Sequence, residues 1–371
     1  MAIFVKGGQE GATKCPTFLS CKTLAATAPK IFTLKTKDRI SMFYTDIKNW
    51  KGLFYGVAYG LFARAIFSME DFTEDKPFFP TFGLMTISFM FIVPFVIGLI
   101  TSYHNDKITS SRKIVIITMP IFSVIGLVAV SLLFGQEGII CALMALPVFL
   151  FMSLLGGLIG TRVFKRNKTD KLYVSLFVFL PFLIAPIENQ LGLTDKIFTE
   201  HTSIEINSTD KIVWSNITRV KPISERENNN SLFQFMGFPR PIKAELDTIA
   251  IGGIRKAIFA RGLFFTETVT QMNPNKILAF NIVADPKSIP PKALDEHVLV
   301  GGKYFDVLEG KYEIEKISED KLTLHLTSQF RLSTRFNFYS GLWSKLIMRD
   351  IQKNILEIIR QRSEQQNSSS S

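Results

Sequence analysis

Apolar residues are concentrated in long stretches in the first half of this chain, and those stretches end before residue 190. A helix needs about 20 apolar residues to cross the hydrocarbon core of a bilayer, within a range of about 17–25. The sequence therefore predicts a multi-pass α-helical membrane region over 51–188. Its five spanning helices are expected at 52–69, 81–103, 114–134, 138–161 and 172–187.

The fifth stretch is short and contains Pro181 and Pro186, so four spans is an open alternative. Prolines are tolerated in membrane helices when neighbouring groups satisfy the freed carbonyls. Arg64 lies near the end of the first stretch. An intramembrane arginine is a candidate functional residue, but this position favours a side chain that extends back to the membrane interface.

Basic residues mark alternate connections between the predicted spans. They occur before the first span, near Arg112 and between 162 and 171, whereas "EDFTEDK" and "GQEG" separate the other spans. Basic loops tend to remain in the cytoplasm. We therefore expect a cytoplasmic, largely disordered tail over 1–50, of which 1–41 are an upstream extension if translation begins at Met42. With five spans the C-terminal half lies on the outer side of the membrane, which is the expected arrangement, and with four it is cytoplasmic.

The net charge of +11 is carried mainly by the membrane half, where 19 basic residues face 11 acidic ones. The positive-inside rule accounts for this excess. No basic stripe alternates with aromatic residues, so nucleic acid is not an expected partner. The frequent Phe, Lys, Ile and Asn residues are typical of a bacterial protein, and the expected location is the bacterial cytoplasmic membrane.

From residue 199 onward, short alternating segments separated by turns are typical of β-strands. Strands are predicted at 202–206, 247–260, 262–270, 276–284, 304–317 and 321–334, with a helix after the first. The segment "NFYSGLWSKLIMRDIQKNILEIIRQR", 337–362, has apolar residues at helical spacing. This helix is long enough to cover one face of a curved antiparallel sheet and so to enclose a cavity.

Four segments of this half resemble the SRPBCC superfamily, the START-like helix-grip group that includes polyketide cyclase/dehydrase and lipid-transport proteins. They are "DKIVWSNITRV", "GGIRKAIFARGLFFTETVT", "YEIEKISEDKLTLHLTSQF" and "NFYSGLWSKLIMRDIQKNILEIIRQRSE". The resemblance covers about 200–364. It implies an α+β fold of order β-α-α-β6-α, with a curved antiparallel sheet wrapped on a long C-terminal helix. We expect this domain over 189–364 and a disordered tail over 365–371.

Residues on two strands and on the final helix are candidate ligand contacts in the implied cavity. Arg255 and Glu267 lie on successive strands, where they either face the cavity or form an exposed ion pair worth about 0.2–1 kcal/mol. Tyr339 and Trp343 are one helical turn apart and either line the cavity or only pack the helix onto the sheet. The full set is Arg255, Glu267, Tyr339, Trp343, Leu346 and Ile347.

The sequence contains no catalytic, phosphate-binding or dinucleotide-binding motif. Scattered histidines give no metal-ligand spacing, so we expect neither a metal nor a cofactor. His325 is a lone strand histidine. The loop over 284–306 is either a lid or a flexible connection. An enzyme would need a titratable pair, for which Glu267, Arg255 and Asp285 are the candidates.

These patterns favour a membrane-anchored domain that binds a hydrophobic, lipid-like or polyketide-like ligand without catalysis. The expected partners are the bilayer and the small molecule, and the oligomeric state is left open. One alternative is a cyclase- or hydrolase-like enzyme that acts on a hydrophobic substrate in the same cavity. The other is a structural or protein-interaction module with a filled core and an exposed apolar patch.

Overall fold

The computed structural model of this chain describes 50–68, 83–104, 113–163, 168–228, 232–284 and 299–370. The residues from Lys51 onward belong to one compact unit, Lys51–Ser371. Residues 1–49 of the predicted N-terminal tail, the acidic connection near residue 75 and residues 285–298 of the candidate lid, with Asp285, lie outside the described residues.

Helices occupy the described part of the first half. They are α1 (Trp50–Phe67), a π-helical turn (Ser88–Ile92) that continues into α2 (Val93–His104), α3 (Lys113–Leu133), α4 (Ile139–Val163) and α5 (Lys168–Gln190). Three helices are long and apolar enough to cross a membrane, through the segments Ile116–Leu133, Ile139–Val163 and Tyr173–Gln190. These coincide with the last three predicted spans, including the short fifth one.

The first two predicted spans are also helical, but they fit a membrane crossing less well by length and composition. Helix α1 contains Lys51 and Arg64, which lower its hydropathy. The second apolar helix, Ser88–His104, is shorter than the predicted span because it begins seven residues later. The described helices therefore contain three apolar segments of spanning length, and the five-span arrangement remains a prediction.

Glycines bring α2 and α4 into direct backbone contact. A Cβ atom at Gly156 would overlap the carbonyl oxygen of Phe95, and one at Gly98 would overlap that of Ser153. At Gly157 a Cβ atom would lie 2.7 Å from a ring carbon of Pro120 in α3. The glycines of the "LLGGLIG" segment therefore form a small-residue helix contact.

The second half forms a seven-stranded antiparallel sheet and three helices. The elements are β1 (Asp195–Ile206), α6 (Asp210–Thr218), α7 (Leu232–Met236), β2 (Pro241–Leu246), β3 (Ile254–Phe259), β4 (Phe264–Asn273), β5 (Ile277–Ala284), β6 (Phe305–Ser318), β7 (Lys321–Ser333) and α8 (Asn337–Ser370). The strands lie in the order β1-β7-β6-β5-β4-β3-β2. The curved sheet and the long terminal helix form the helix-grip arrangement, in the expected β-α-α-β6-α order.

Several predicted boundaries were wrong. Strand β1 begins at Asp195 rather than 202, because all twelve of its residues pair with β7. The predicted strand 247–260 is two elements, since 247–253 form a turn and only Ile254–Phe259 is a strand. Strand β2 and the short helix α7 were not predicted from the residues.

Helix α8 continues to Ser370, so the predicted disordered tail over 365–371 is helical through residue 370. Polar contacts with α6 and with the turn before it account for the difference. Glu364 accepts a hydrogen bond from the backbone amide of Asn207 (3.0 Å), and the side-chain amide of Asn216 donates to Gln366 (3.2 Å). These contacts stabilise a segment whose serines are weak helix formers.

A charged cluster fixes α8 to the turn after α6. Arg362 donates to both carboxylate oxygens of Glu227, at 2.6 and 3.1 Å, and to the carbonyl oxygens of Lys221 and Pro222. Ser224 adds two hydrogen bonds of 2.8 Å to the same carboxylate. The hydrogen bond from Arg362 is the main cause that lowers the pKa of Glu227 to about 2.

We expect Glu227→Gln to lower the free energy of unfolding by about 1 kcal/mol at neutral pH, the upper range for a partly exposed pair. Because the pKa of Glu227 is lower in the folded state, its contribution is complete above about pH 4.5 and is lost as the pH falls towards 2. Denaturant unfolding of the wild-type and Glu227→Gln proteins in detergent should therefore show a difference in the free energy of unfolding that becomes smaller below pH 4.5. Glu225→Gln, at an exposed position in the same turn, is the control, and a constant difference would contradict the assignment.

Candidate ligand-binding cavity

A cavity of about 260 Å³ extends from the inside of the curved sheet into the helices of the first half. From the sheet its wall includes Phe265, Phe280 and Val307. From the helices it includes Phe89, Leu127, Met144 and Phe149. The volume is just below the range of about 300–1,000 Å³ that is usual for small-molecule sites. The wall is predominantly apolar, so the cavity suits an apolar molecule.

Helix α8 forms one side of the cavity. Its residues Tyr339, Trp343 and Ile347 follow one another at intervals of four and all line the wall. The Tyr339 hydroxyl donates a hydrogen bond of 2.5 Å to the carbonyl oxygen of Met144 in α4. The Trp343 ring lies edge-on to Phe233, with centroids 6.5 Å apart. The beginning of α8 is thus fixed to both α4 and α7.

Arg255 and Glu267 are directly opposite each other on β3 and β4. On these strands the buried positions alternate with exposed or half-buried ones, so Arg255 shares its face with Ala257, and Glu267 shares its face with Phe265 and Val269. The two side chains form a buried ion pair in which Arg255 Nη1 donates to Glu267 Oε2. Only 4% of Arg255 and 7% of Glu267 is exposed, so the exposed ion pair that the sequence left open is excluded.

The guanidinium of Arg255 is at the centre of a small polar cluster inside the cavity. It donates to the carbonyl oxygen of Ile217 (3.3 Å), lies 5.0 Å from the ring centre of Phe280 and interacts with the hydroxyl of Tyr312. Its Nε has no hydrogen-bond partner among the described residues. A buried donor without a partner costs free energy, which a ligand acceptor would recover.

The charge state of this cluster follows from its surroundings. Burial alone lowers the pKa of Arg255, but the charge of Glu267 and the hydrogen bonds with Glu267 and Tyr312 outweigh it, so the pKa is raised and the guanidinium is charged. Burial raises the pKa of Tyr312, and the opposing effect of Arg255 is smaller, so its hydroxyl is neutral. With Glu267 ionised in the pair, the cluster has no net charge.

A second arginine–glutamate pair lines the cavity on the helical side. Arg64 in α1 donates to Glu137, with Nε–Oε1 at 3.1 Å, and to the carbonyl oxygen of Gln136. Arg64 is only 7% exposed. The side chain is therefore buried in an ion pair, because the connection between α3 and α4 supplies its partners, and its position relative to a membrane interface stays a prediction.

The cavity reaches well into the helical half. Phe149 lies ten residues beyond the start of α4 at Ile139, a distance of about 15 Å along the helix. The hydrocarbon core of a bilayer is about 30 Å thick. In the other direction, inside the sheet, the cavity ends at an apolar cluster in which Leu278, Leu324 and Leu356 are fully buried. We call this the distal apolar cluster.

Five of the six predicted contacts line this cavity, namely Arg255, Glu267, Tyr339, Trp343 and Ile347. Leu346 does not line it. It lies one position before Ile347 on α8, which places its side chain outward with 40% exposure. Trp214 in α6 is half-buried against the distal apolar cluster.

Sequence reasoning missed Tyr312 and the helical part of the wall. The sequence pattern could have identified Tyr312, because this residue alternates with Gly310 and Ile314 on the buried face of β6. Met144 and Phe149 carry no such signal, since an apolar helix of a membrane region offers apolar residues on every side. Their inward position depends on contacts between distant elements.

The charged residues of the wall are the two arginine–glutamate pairs, Arg64–Glu137 and Arg255–Glu267. Each carboxylate is engaged by its arginine in an ion pair. His325 is elsewhere, with Nε2 3.1 Å from Glu315. Over the described ranges, no three His, Cys, Asp or Glu side chains come together as a metal site. The arrangement is suited to holding an uncharged molecule.

No protein-family model and no curated protein matches this chain. Among solved structures it is similar to the Zhui aromatase/cyclase from Streptomyces sp. R1128, at 10% identity over 47% of this chain and 99% of that one, with a TM-score of 0.30. It is also similar to truncated norcoclaurine synthase from Thalictrum flavum, at 10% identity over 45% and 95%, with a TM-score of 0.26. It is also similar to XoxI from Bacillus cereus, at 14% identity over 44% of this chain and 94% of that one, with a TM-score of 0.28. At these identities and scores the comparisons assign neither an activity nor a ligand to this chain.

Proposed function

We propose that this protein is a membrane-anchored, non-catalytic binding protein for an uncharged apolar molecule that carries a hydrogen-bond acceptor such as a carbonyl, ether or hydroxyl oxygen. The observation that carries the proposal is the shared wall of the cavity, to which Trp343 and Phe280 contribute from the domain and Phe89 and Phe149 from the helices. A ligand in this space can enter the protein at the depth where apolar molecules accumulate in a bilayer.

The charges of the wall support an uncharged ligand. A phosphate or carboxylate placed beside Arg255 would also lie beside Glu267, and the repulsion would offset the attraction. A neutral oxygen avoids that repulsion and can accept from Arg255 Nε, which is buried without a partner among the described residues. Typical phospholipids are therefore disfavoured relative to neutral lipids, quinone-like molecules and polyketide-like molecules.

The proposal is tested by purifying the full chain from membranes in mild detergent and identifying bound small molecules by extraction and mass spectrometry. We expect a neutral apolar compound in a fixed ratio to protein. Trp343→Ala should reduce the bound amount close to tenfold, a loss of about 1.4 kcal/mol, because the indole forms part of the wall.

Trp214→Ala is the matched control, since Trp214 packs against the distal cluster. This variant should lower the melting temperature and leave the bound amount unchanged. Equal losses of ligand in the two variants would show that occupancy follows stability, and the assignment of Trp343 to the site would then be wrong. A wild-type protein that carries no apolar compound under several mild extraction conditions would overturn the proposed function.

A further inference from the structure

We infer that the outer face of the first turns of α8 lies in the interfacial layer of a bilayer that contains anionic phospholipid, with its apolar side chains at the acyl boundary and its basic side chains at the phosphates. This inference rests on the membrane position in the proposed function. It adds a lipid-binding surface that is distinct from the cavity.

The outer face of α8 is apolar where soluble helices are polar. Phe338, Leu342 and Leu346 follow one another at intervals of four, and they are 72%, 57% and 40% exposed. A second side of the same turns, about 100° around the helix axis and with Trp343 and Ile347, lines the cavity. These turns are therefore apolar on two sides, a pattern expected where a helix separates an apolar cavity from a second apolar medium.

The position of this stripe relative to the helices indicates which medium that is. The Phe338 ring lies 5.7 Å from the ring of Phe91, which is one turn inside the apolar helix that begins at Ser88. Tyr339 donates to the carbonyl of Met144, five residues or about 7.5 Å into α4. The first turn of α8 therefore lies beside the ends of two apolar helices that face the C-terminal domain. One of them, α4, is long and apolar enough to cross a membrane.

The exposed apolar surface also continues from α8 onto those helices. Ile87 at the start of the second helical segment and Leu183 and Ile187 near the end of α5 are 40%, 60% and 63% exposed. The side chain of Glu188, beside Ile187 in sequence, accepts a hydrogen bond from the backbone amide of Ser88 (3.1 Å). These exposed residues therefore belong to neighbouring ends of the helical bundle, and a bilayer around the bundle would also reach the stripe.

Charge changes along α8 in the direction expected for an interfacial helix. Exposed basic residues begin at the C-terminal end of the apolar stripe, with Lys345 beside Leu346, followed by Arg349 and Lys353. Lys345 lies 5.7 Å from the ring centre of Phe198, and Lys196 lies 5.3 Å from the same ring. Arg349 pairs with Glu200 at 2.6 Å but its side chain stays 52% exposed. Basic residues just outside an apolar segment bind anionic headgroups.

The test uses the full chain in nanodiscs of phosphatidylcholine and phosphatidylglycerol, with Cys15, Cys21 and Cys141 replaced by serine. A fluorophore is attached through Leu342→Cys on the stripe, Phe151→Cys on the exposed side of α4, or Ser318→Cys at the β6–β7 turn. Quenching is measured with brominated phospholipid from the membrane side and with iodide from the water. We expect brominated lipid to quench the Leu342 probe at least about half as strongly as the Phe151 probe, since interfacial helices lie about 5–10 Å into the boundary.

Omitting phosphatidylglycerol should weaken that quenching, because the basic residues lose their partners. A Leu342 probe that behaves like the Ser318 probe, while the Phe151 probe is quenched by lipid, would overturn the inference and leave the membrane position intact. A Leu342 probe shielded from both quenchers would also overturn it, since a protein surface would then cover the stripe. Failure of lipid to quench the Phe151 probe would instead remove the membrane position on which the proposed function depends.

Discussion

Replacing Glu267 with leucine should lower the free energy of unfolding by about 3–5 kcal/mol, because it leaves a charged guanidinium buried without its counter-ion. Arg255 is almost fully enclosed, and an arginine keeps its proton even when it is buried, so it cannot escape the cost of burial by losing its charge. The measurement is chemical unfolding of the full chain in detergent, followed by the far-ultraviolet circular dichroism of the sheet and helices.

Two controls separate this effect from a general loss of packing. The double variant Arg255→Met/Glu267→Leu removes both charges and should recover most of the lost stability, since apolar replacement of a buried ion pair is often neutral or stabilising. Glu245→Leu removes one partner of the exposed Lys243–Glu245 pair and should change stability by no more than about 1 kcal/mol. Equal losses in Glu267→Leu and the double variant would contradict the buried-charge explanation.

The double variant also bears on function. If Arg255 serves only to neutralise Glu267, the double variant should keep its ligand, because the apolar wall is still present. If Arg255 Nε donates to a ligand oxygen as proposed, the double variant should be stable and yet lose bound compound. Stability and occupancy therefore report on different roles of the same residue.

The position of this pair could be predicted from the sequence, but its burial was only one of two alternatives. The hairpin was evident, and Glu267 falls between Phe265 and Val269 on the two-residue period of a strand, which indicates a shared inward face. That pattern competes with the general rule that ionisable residues stay exposed unless paired. The register that places Arg255 directly opposite Glu267 resolves the conflict.

Long elements with strong periodicity were predicted well, and short or polar ones were not. The final helix, β6 and β7 have apolar residues at regular intervals over many positions. Strand β2, with six residues that begin at Pro241, is too short for such a signal. The polar start of β1 and the serine-rich end of α8 are ordered by partners elsewhere in the chain, and local propensity does not encode those contacts.

The extension of the cavity into the helical half could not be predicted from the sequence. Arg64 and Glu137 are far apart in the sequence, and nothing near either residue indicates the other. An arginine close to a helix end fits a side chain that reaches the interface as well as it fits a buried pair. Only the packing of α1 beside the connection between α3 and α4 distinguishes these interpretations.

Replacing Ala145 with tryptophan should reduce the bound apolar compound more than tenfold, which is a loss of over about 1.4 kcal/mol. Ala145 lines the cavity from α4, and an indole at this position would occupy a large share of the available 260 Å³. Because the ring enters space that is already open, the melting temperature should change little. Extraction and mass spectrometry of the purified full chain give the occupancy, and thermal unfolding in the same detergent gives the stability.

Ala129→Trp is the matched control, because it adds the same side chain to α3 at an exposed position and should keep its ligand. Ala142→Phe, at a second position on the wall, guards against a misfolded Ala145 variant. A well-folded Ala145→Trp protein with its normal ligand content would mean that the ligand occupies only the sheet side, and the shared cavity would no longer support entry from the bilayer. Loss of ligand in both wall variants but not in Ala129→Trp would make the membrane helices part of the binding site, because these substitutions change no residue of the C-terminal domain.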